Sequence, residues 1–274
     1  AVVPLLRDRV SAGVVGRHLF DNNARFGGND PAANAADAAA IATDKTALFP
    51  NETASFANYS SYSRGINGVI IDIAGLPSHA LSADDFEFRV GNTNDSSSWT
   101  DAPTPQISVQ PGAGAGGSAR VKLIWNDGAI VGQWLQVTVK ATPATGLETP
   151  DVFYFGNAVG ETGNSGADAV VDTTDVQGAE NNPRGAGDPA PIDFAYDFNR
   201  DTLVDATDEQ IATDNATASQ TALQLIDSPE FVPETEYQRP PITLYNRGDN
   251  GHPGHFSPTL VTTTVSSPSI ARSS

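Results

Sequence analysis

An acidic pattern occurs twice in this chain, and it constrains the fold more than any other feature of the sequence. The pattern D-x-x-V-D-x-T-D runs from Asp168 to Asp175 and again from Asp201 to Asp208. The two windows of 12 residues that contain it begin 33 positions apart, at residues 164 and 197. Such a repeat is much harder to produce by chance than a single copy, and it therefore indicates a duplicated loop.

The downstream copy has the spacing of oxygen ligands that a calcium loop requires. Side chains with oxygen atoms occupy loop positions 1, 3, 5, 9 and 12, which are Asp197, Asn199, Asp201, Asp205 and Asp208. Position 7 is Leu203, which offers its backbone carbonyl. Calcium takes about six to eight oxygens at roughly 2.3–2.6 Å. Without a cation the carboxylates would repel one another and keep the segment open. We predict a calcium site here, with Asp205 bound directly or through water.

The upstream copy offers fewer carboxylates. Position 1 is Asn164 and position 3 is Gly166, which has no side chain. We predict a second, weaker calcium site formed by Asp168, the Val170 carbonyl, Asp175, and Asn164 or Asp172. The alternative for both copies is a solvated acidic turn, because Asp and Asn are common in turns for local reasons.

The two loops resemble type I dockerin repeats, whose loop ends in Asp rather than in the Glu of a standard EF-hand. The wider chain is similar to secreted proteins of planctomycete bacteria that carry a β-sandwich followed by a dockerin-like pair. The phrases that carry this similarity, over about residues 15–226, are Asn29–Asp37, Asn58–Gly68, Gln133–Val139 and Pro150–Asn157. The resemblance implies an architecture and says almost nothing about activity.

The repeats depart from the dockerin pattern in two ways. Position 6 is Ala169 or Thr202 where dockerins usually have Gly, and left-handed geometry at a β-branched residue costs about 1–2 kcal/mol. The segment 181–191 also lengthens the connection between the repeats. These departures weaken the expectation of a cohesin partner and leave the expectation of metal binding intact.

Composition limits the classes of partner and the cellular location. The formal net charge is −18, from 15 basic and 33 acidic residues, which disfavours nucleic acid and anionic membranes. No apolar run approaches the ~18–20 residues of a membrane span. The chain has no Cys and no Met, even at position 1, and we expect a processed, secreted or cell-surface protein. Extracellular calcium, near millimolar, would fill loops that cytosolic calcium would not.

The fold class that the sequence predicts is mainly β. We expect a β-sandwich domain over 1–158 with a short helix near 31–41 that Asp30 caps, an α-helical calcium-loop module over 159–227, and a proline-rich linker with a terminal strand over 228–274. The helices of the module should begin near Asp172–Asp175 and Asp205–Asp208. The predicted strands of the sandwich are Ile66–Ile73, Asp85–Val90, Gln106–Gln110, Arg120–Trp125, Gln133–Lys140 and Val152–Phe155. Gln133–Lys140 alternates polar and apolar residues, as a half-buried strand does.

These features lead us to expect a non-catalytic, calcium-binding structural protein of an extracellular assembly, such as a filament joined by strand addition through Thr259–Val265. Its partners would be copies of itself or another extracellular protein, without nucleic acid and without membrane insertion. The alternative is a carbohydrate- or cohesin-binding module of a polysaccharide-degrading system, with Trp99, Trp125 and Trp134 as a sugar platform. No nucleophile motif or catalytic histidine cluster supports an enzyme.

Overall fold

The computed structural model describes residues 11–231. Most of the proline-rich linker and the predicted strand Thr259–Val265 lie outside these residues. All described residues belong to one compact unit.

Two sheets form the body of the protein. The first has strand order β1-β3-β7-β6 and the second β2-β9-β8-β4-β5. All neighbouring strands are antiparallel except β2 and β9. The strands are β1 (Gly13–Leu19), β2 (Tyr59–Ser60), β3 (Gly68–Ala74), β4 (Phe86–Gly91), β5 (Thr100–Asp101), β6 (Gln106–Gln110), β7 (Ala119–Ile124), β8 (Trp134–Val139) and β9 (Asp151–Asn157). We call these sheets the two-sheet body.

The two sheets share one hydrophobic core. Alternate residues of each strand point to the same face, so every second side chain can be apolar and buried. The side chains that meet in this core include Val69, Ile71, Ile73, Phe86, Phe88, Val90, Val121, Leu123, Leu135, Val137, Val139, Phe153 and Phe155. The expectation of a mainly β fold with two sheets is confirmed.

The predicted strands of the body agree well with the observed ones. Gln106–Gln110 has the predicted bounds, and the ends of the other five differ by one or two residues. Strand β1 was not predicted, because its sequence contains Gly13 and Gly16 and carries a bulge between Val14 and Gly16. The helix predicted near 31–41 is a 3-10 helix at Ala35–Ala40.

The cap of this short helix differs from the prediction. Asn34, rather than Asp30, is the N-cap, and it forms a capping box with Asp37. Asp30 instead accepts a hydrogen bond from the N–H of Ala32 at 2.9 Å, within a turn. The reciprocal pair of bonds satisfies two N–H groups at the helix start, which Asp30 followed by a proline does not achieve.

The prediction that β8 is half buried is wrong, because all six of its residues are buried. A second hydrophobic cluster, which includes Tyr59, Trp134, Tyr154 and Leu223, covers the outer face of the second sheet. The Trp134 indole donates to the carbonyl of Gln224 at 2.8 Å. The segment that contains Leu223 and Gln224 therefore covers this face of the sheet, which forms a second core and is not exposed to solvent.

Two α-helices complete the described chain: α1 (Thr173–Asn181) and α2 (Ala206–Asp214). They share a small core of their own that consists of Val171, Ala179, Ala190, Phe198, Val204 and Ala212. Ala179 and Ala212 lie 33 positions apart, at the offset of the acidic repeat.

Replacement of Leu223 by Ala tests the covering of the second sheet. Leu223 is buried in the outer cluster, so Leu223→Ala should lower the free energy of unfolding by about 2–4 kcal/mol. Leu225→Ala is the matched control, since Leu225 is only partly buried in the same segment, and its loss should be about 1 kcal/mol. Urea unfolding measures both, and equal effects would contradict the covering role of Leu223.

Candidate calcium loops

Each acidic repeat ends in a capped helix. Asp172 accepts a hydrogen bond from the N–H of Thr174 at 2.7 Å, and Asp175 accepts one from the N–H of Asp172 at 2.8 Å. Asp205 and Asp208 form the same capping box on α2. Both helices begin where the sequence predicts, and the two final carboxylates of each loop have a structural role that does not depend on a metal.

The two repeats are related by an internal symmetry. Val204 exchanges two backbone hydrogen bonds with Arg184, each of 3.1 Å. Val171 accepts a bond from the N–H of Thr217 at 2.9 Å and donates its own N–H to the Thr217 hydroxyl at 3.0 Å. Arg184 lies three residues after the end of α1, and Thr217 lies three residues after the end of α2. Each loop is therefore joined to the end of the other repeat's helix, as a duplicated unit requires.

The first position of the downstream loop organises its turn. The fully buried Asp197 carboxylate accepts the N–H groups of Asp201 at 3.2 Å and of Thr202 at 2.9 Å. Thr202 has φ of 74°, and Arg200 has φ of 56°. The left-handed geometry anticipated for position 6 is present, and the bonds to Asp197 compensate for its strain.

The polar side chains in the middle of the downstream loop form hydrogen bonds within the same loop. Asp201 accepts the N–H of Leu203 at 2.8 Å, and the Asn199 amide donates to Asp201 at 3.0 Å. In the upstream loop Asp168 accepts the N–H of Val170 at 3.4 Å, which is the same bond between positions 5 and 7. The residues predicted as ligands at these positions therefore shape equivalent turns in both loops.

The two ends of the downstream loop meet inside the protein. Asp208 is fully buried and accepts the N–H of Phe198 at 2.8 Å. Burial raises the pKa of Asp197 to about 6 despite the nearby charge of Arg200, and burial also raises the pKa of Asp208. An ionised carboxylate has about four acceptor sites, so each group retains lone pairs that could face a cation.

The acidic side chains do not form a compact metal cluster. Within residues 11–231, no group of three or more His, Cys, Asp or Glu side chains is arranged so that it could hold a metal ion. The predicted ligand sets would need an amide oxygen and a carbonyl oxygen beside their carboxylates, which is the mixed oxygen chemistry of calcium.

The structure places the start of the upstream loop earlier than the sequence template does. Asn164 is exposed. Asp175 accepts a bond from the N–H of Thr162 at 3.0 Å, as Asp208 accepts one from the N–H of Phe198. Thr162 therefore corresponds to position 2 of the downstream loop, and the preceding residue, Glu161, corresponds to Asp197.

Glu161 is a candidate site residue that the sequence did not reveal. It is fully buried, and its Oε2 accepts the Tyr59 hydroxyl at 2.6 Å and the N–H of Gly163 at 2.8 Å. Its Oε1 has no hydrogen-bond partner among the described residues. Burial raises the pKa of Glu161 to about 7. A template that allowed loops of unequal length would have found it, since it is the first acid after Gly160.

Arg200 connects the downstream loop to the two-sheet body. Its guanidinium is buried and donates to Asp21 at 2.7 Å and to the carbonyl oxygen of Asp197. The Arg25 N–H donates to the Arg200 carbonyl at 3.1 Å. The Arg200 side chain therefore leaves the loop and enters the body.

The three tryptophans do not form an exposed platform. Trp99, Trp125 and Trp134 are buried. Their indole N–H groups donate to backbone carbonyls at 3.0, 2.6 and 2.8 Å, respectively. These rings pack the body, and they do not offer the face on which a sugar would stack.

Comparison with protein-family models, with curated proteins and with solved structures finds no match for this chain. Among residues 11–231, no helix is both long enough and apolar enough to cross a membrane.

The raised pKa of Asp197 predicts how stability depends on pH in the absence of metal. The folded protein holds this proton more tightly than the unfolded chain, whose Asp has a pKa of 3.8. The stabilisation is therefore complete below the unfolded pKa and is lost as pH rises through about 6.

Asp197→Asn removes this titration and keeps an oxygen acceptor. With chelator present, the unfolding free energy of the wild type should fall relative to the variant by on the order of 2 kcal/mol between pH 4 and pH 7. Urea unfolding across this range provides the measurement. Parallel pH profiles would show that Asp197 does not titrate as its burial requires.

Proposed function

We propose that this chain is a secreted, non-catalytic, calcium-binding structural protein whose copies assemble outside the cell. The observation that carries the proposal is the downstream loop, where Asp197 and Asp208 are buried at the two ends of a 12-residue turn. A buried carboxylate is costly unless a counter-charge or strong donors compensate for it. Calcium would supply that charge while the loop N–H groups remain bonded.

The charge of the whole chain supports an extracellular role. At a net charge of −18, copies of the protein repel one another unless cations screen them. Calcium outside the cell is concentrated enough to occupy sites of millimolar affinity, whereas cytosolic calcium is not. We therefore place both the protein and its assembly outside the cell or at its surface.

The first sheet offers edges that another strand could join. Among the described residues, β6 pairs only with β7, and β1 pairs only with β3. An incoming strand would bond to outward-facing N–H and C=O groups of either edge. The segment Thr259–Val265, outside the described residues, has the composition of such a strand, and our proposal assigns it to a neighbouring copy.

Asp197→Asn tests calcium binding in the downstream loop. Loss of one buried negative charge should weaken the tighter calcium affinity roughly tenfold or more. Asp214→Asn is the matched control, because Asp214 is an exposed residue at the end of α2 whose carboxylate accepts, within residues 11–231, one side-chain bond, from Gln210. Calorimetric titration gives both affinities, and an unchanged affinity in Asp197→Asn would contradict the proposed site.

Truncation after Pro241 tests the assembly. The shortened protein should still bind calcium and remain monomeric, while the full chain should assemble in calcium and dissociate in chelator. Electron microscopy and light scattering distinguish these states. If the truncated protein assembles like the full chain, the terminal segment is not the connector.

A further inference from the structure

The upstream loop contains a buried acid, Glu161, and one of its carboxylate oxygens has no hydrogen-bond partner among the described residues. Both donors to Glu161, the Tyr59 hydroxyl and the Gly163 N–H, bond to Oε2. Oε1 is buried without a partner among the described residues. An unsatisfied buried acceptor costs about 1–3 kcal/mol, and more when it is charged. Such an atom in a native protein requires an explanation, and a bound cation is one.

Hydrogen bonds place this acid at the start of a calcium loop. Thr162 donates both its N–H, at 3.0 Å, and its hydroxyl, at 2.7 Å, to Asp175. In the downstream loop Asp208 likewise accepts a hydrogen bond from the N–H of Phe198, the residue that follows Asp197. The residue before Thr162 therefore occupies the position of Asp197, although the loop from 161 to 175 has three residues more than the loop from 197 to 208.

The position of Glu161 is fixed by its surroundings. Gly163 has φ of 75°, and a Cβ added there would lie 2.5 Å from a ring carbon of Phe56, so only glycine fits. The Phe56 ring contacts that of Tyr59 edge-on, with 5.3 Å between centroids. These contacts hold the backbone N–H of Gly163 and the Tyr59 hydroxyl against the same carboxylate oxygen.

The charges around Glu161 favour a cation. Asp175 and Asp168 both lie close enough to raise the pKa of Tyr59, after the larger effects of burial and Glu161 itself. The positive charge of Lys45 partly compensates, but its ammonium bonds to Asp44 at 2.9 Å and to the Phe56 carbonyl at 3.0 Å. The side chains near Glu161 therefore carry more negative than positive charge.

We propose that Glu161, rather than Asn164, is the first ligand of a calcium ion in the upstream loop, with Asp168 and Asp175 as the other acidic ligands. This inference rests on the proposed calcium-binding function. The three acids are not gathered at one point in this structure, so binding closes the stretch 164–168, which is mostly exposed, onto Glu161. Because Glu161 also bonds Tyr59 of β2, the ion joins α1 to the two-sheet body.

Substitution of Glu161 and of Asn164 in the full chain separates the two assignments. Calorimetry with calcium, and terbium luminescence excited through the aromatic residues, should give two sites in the wild type. Glu161→Gln should weaken the upstream site by tenfold or more and leave the downstream affinity unchanged. Asn164→Ala, the matched control, should leave both affinities unchanged.

Each other outcome has a definite meaning. If Asn164→Ala removes the upstream site and Glu161→Gln does not, the assignment of Glu161 is wrong, while the proposed function stands. If the wild type binds no calcium at millimolar concentration, both are wrong. If Glu161→Gln fails to fold, Glu161→Asp keeps the charge but shortens the side chain. It should also weaken the upstream site alone, and wild-type affinity in it would overturn the inference.

Discussion

The buried ion pair between Arg200 and Asp21 fixes the position of the downstream loop on the two-sheet body. The guanidinium contacts the Asp21 carboxylate and the Asp197 carbonyl, and the backbone of Arg200 accepts a bond from Arg25. A buried pair of this kind adds little net stability, but removal of one partner costs about 3–5 kcal/mol. The pair joins residues 179 positions apart in the chain and so holds the loop against the two-sheet body.

The rest of the site depends on that arrangement. With the Arg200 side chain held in the body, the backbone of the loop adopts left-handed geometry at Arg200 and Thr202. The Asp197 carboxylate then accepts hydrogen bonds from the N–H groups of Asp201 and Thr202. Asp197 is then buried, which raises its pKa to about 6. The upstream loop has no equivalent arginine; it is anchored instead by the bond between Tyr59 and Glu161. The two loops therefore differ in their attachment as well as in their length.

Local signals predicted much of this architecture, and contacts distant in sequence account for the rest. The strand Gln106–Gln110 and the two helix starts follow from composition and capping residues, which act within a few positions. The burial of both faces of β8 depends on Leu223, which lies about 90 residues away and gives no local signal. The sequence did not predict Glu161, because the repeat pattern implies two loops of equal length, whereas the upstream loop has three additional residues and begins at 161.

Calcium occupancy of the loops is the central claim, and anomalous diffraction tests it most directly. Crystals grown in millimolar calcium and measured at long wavelength reveal each calcium as a peak in the anomalous difference map. We expect one peak inside the loop 197–208 and a second bounded by Glu161 and Asp175. A map without a peak in the downstream loop would contradict the claim.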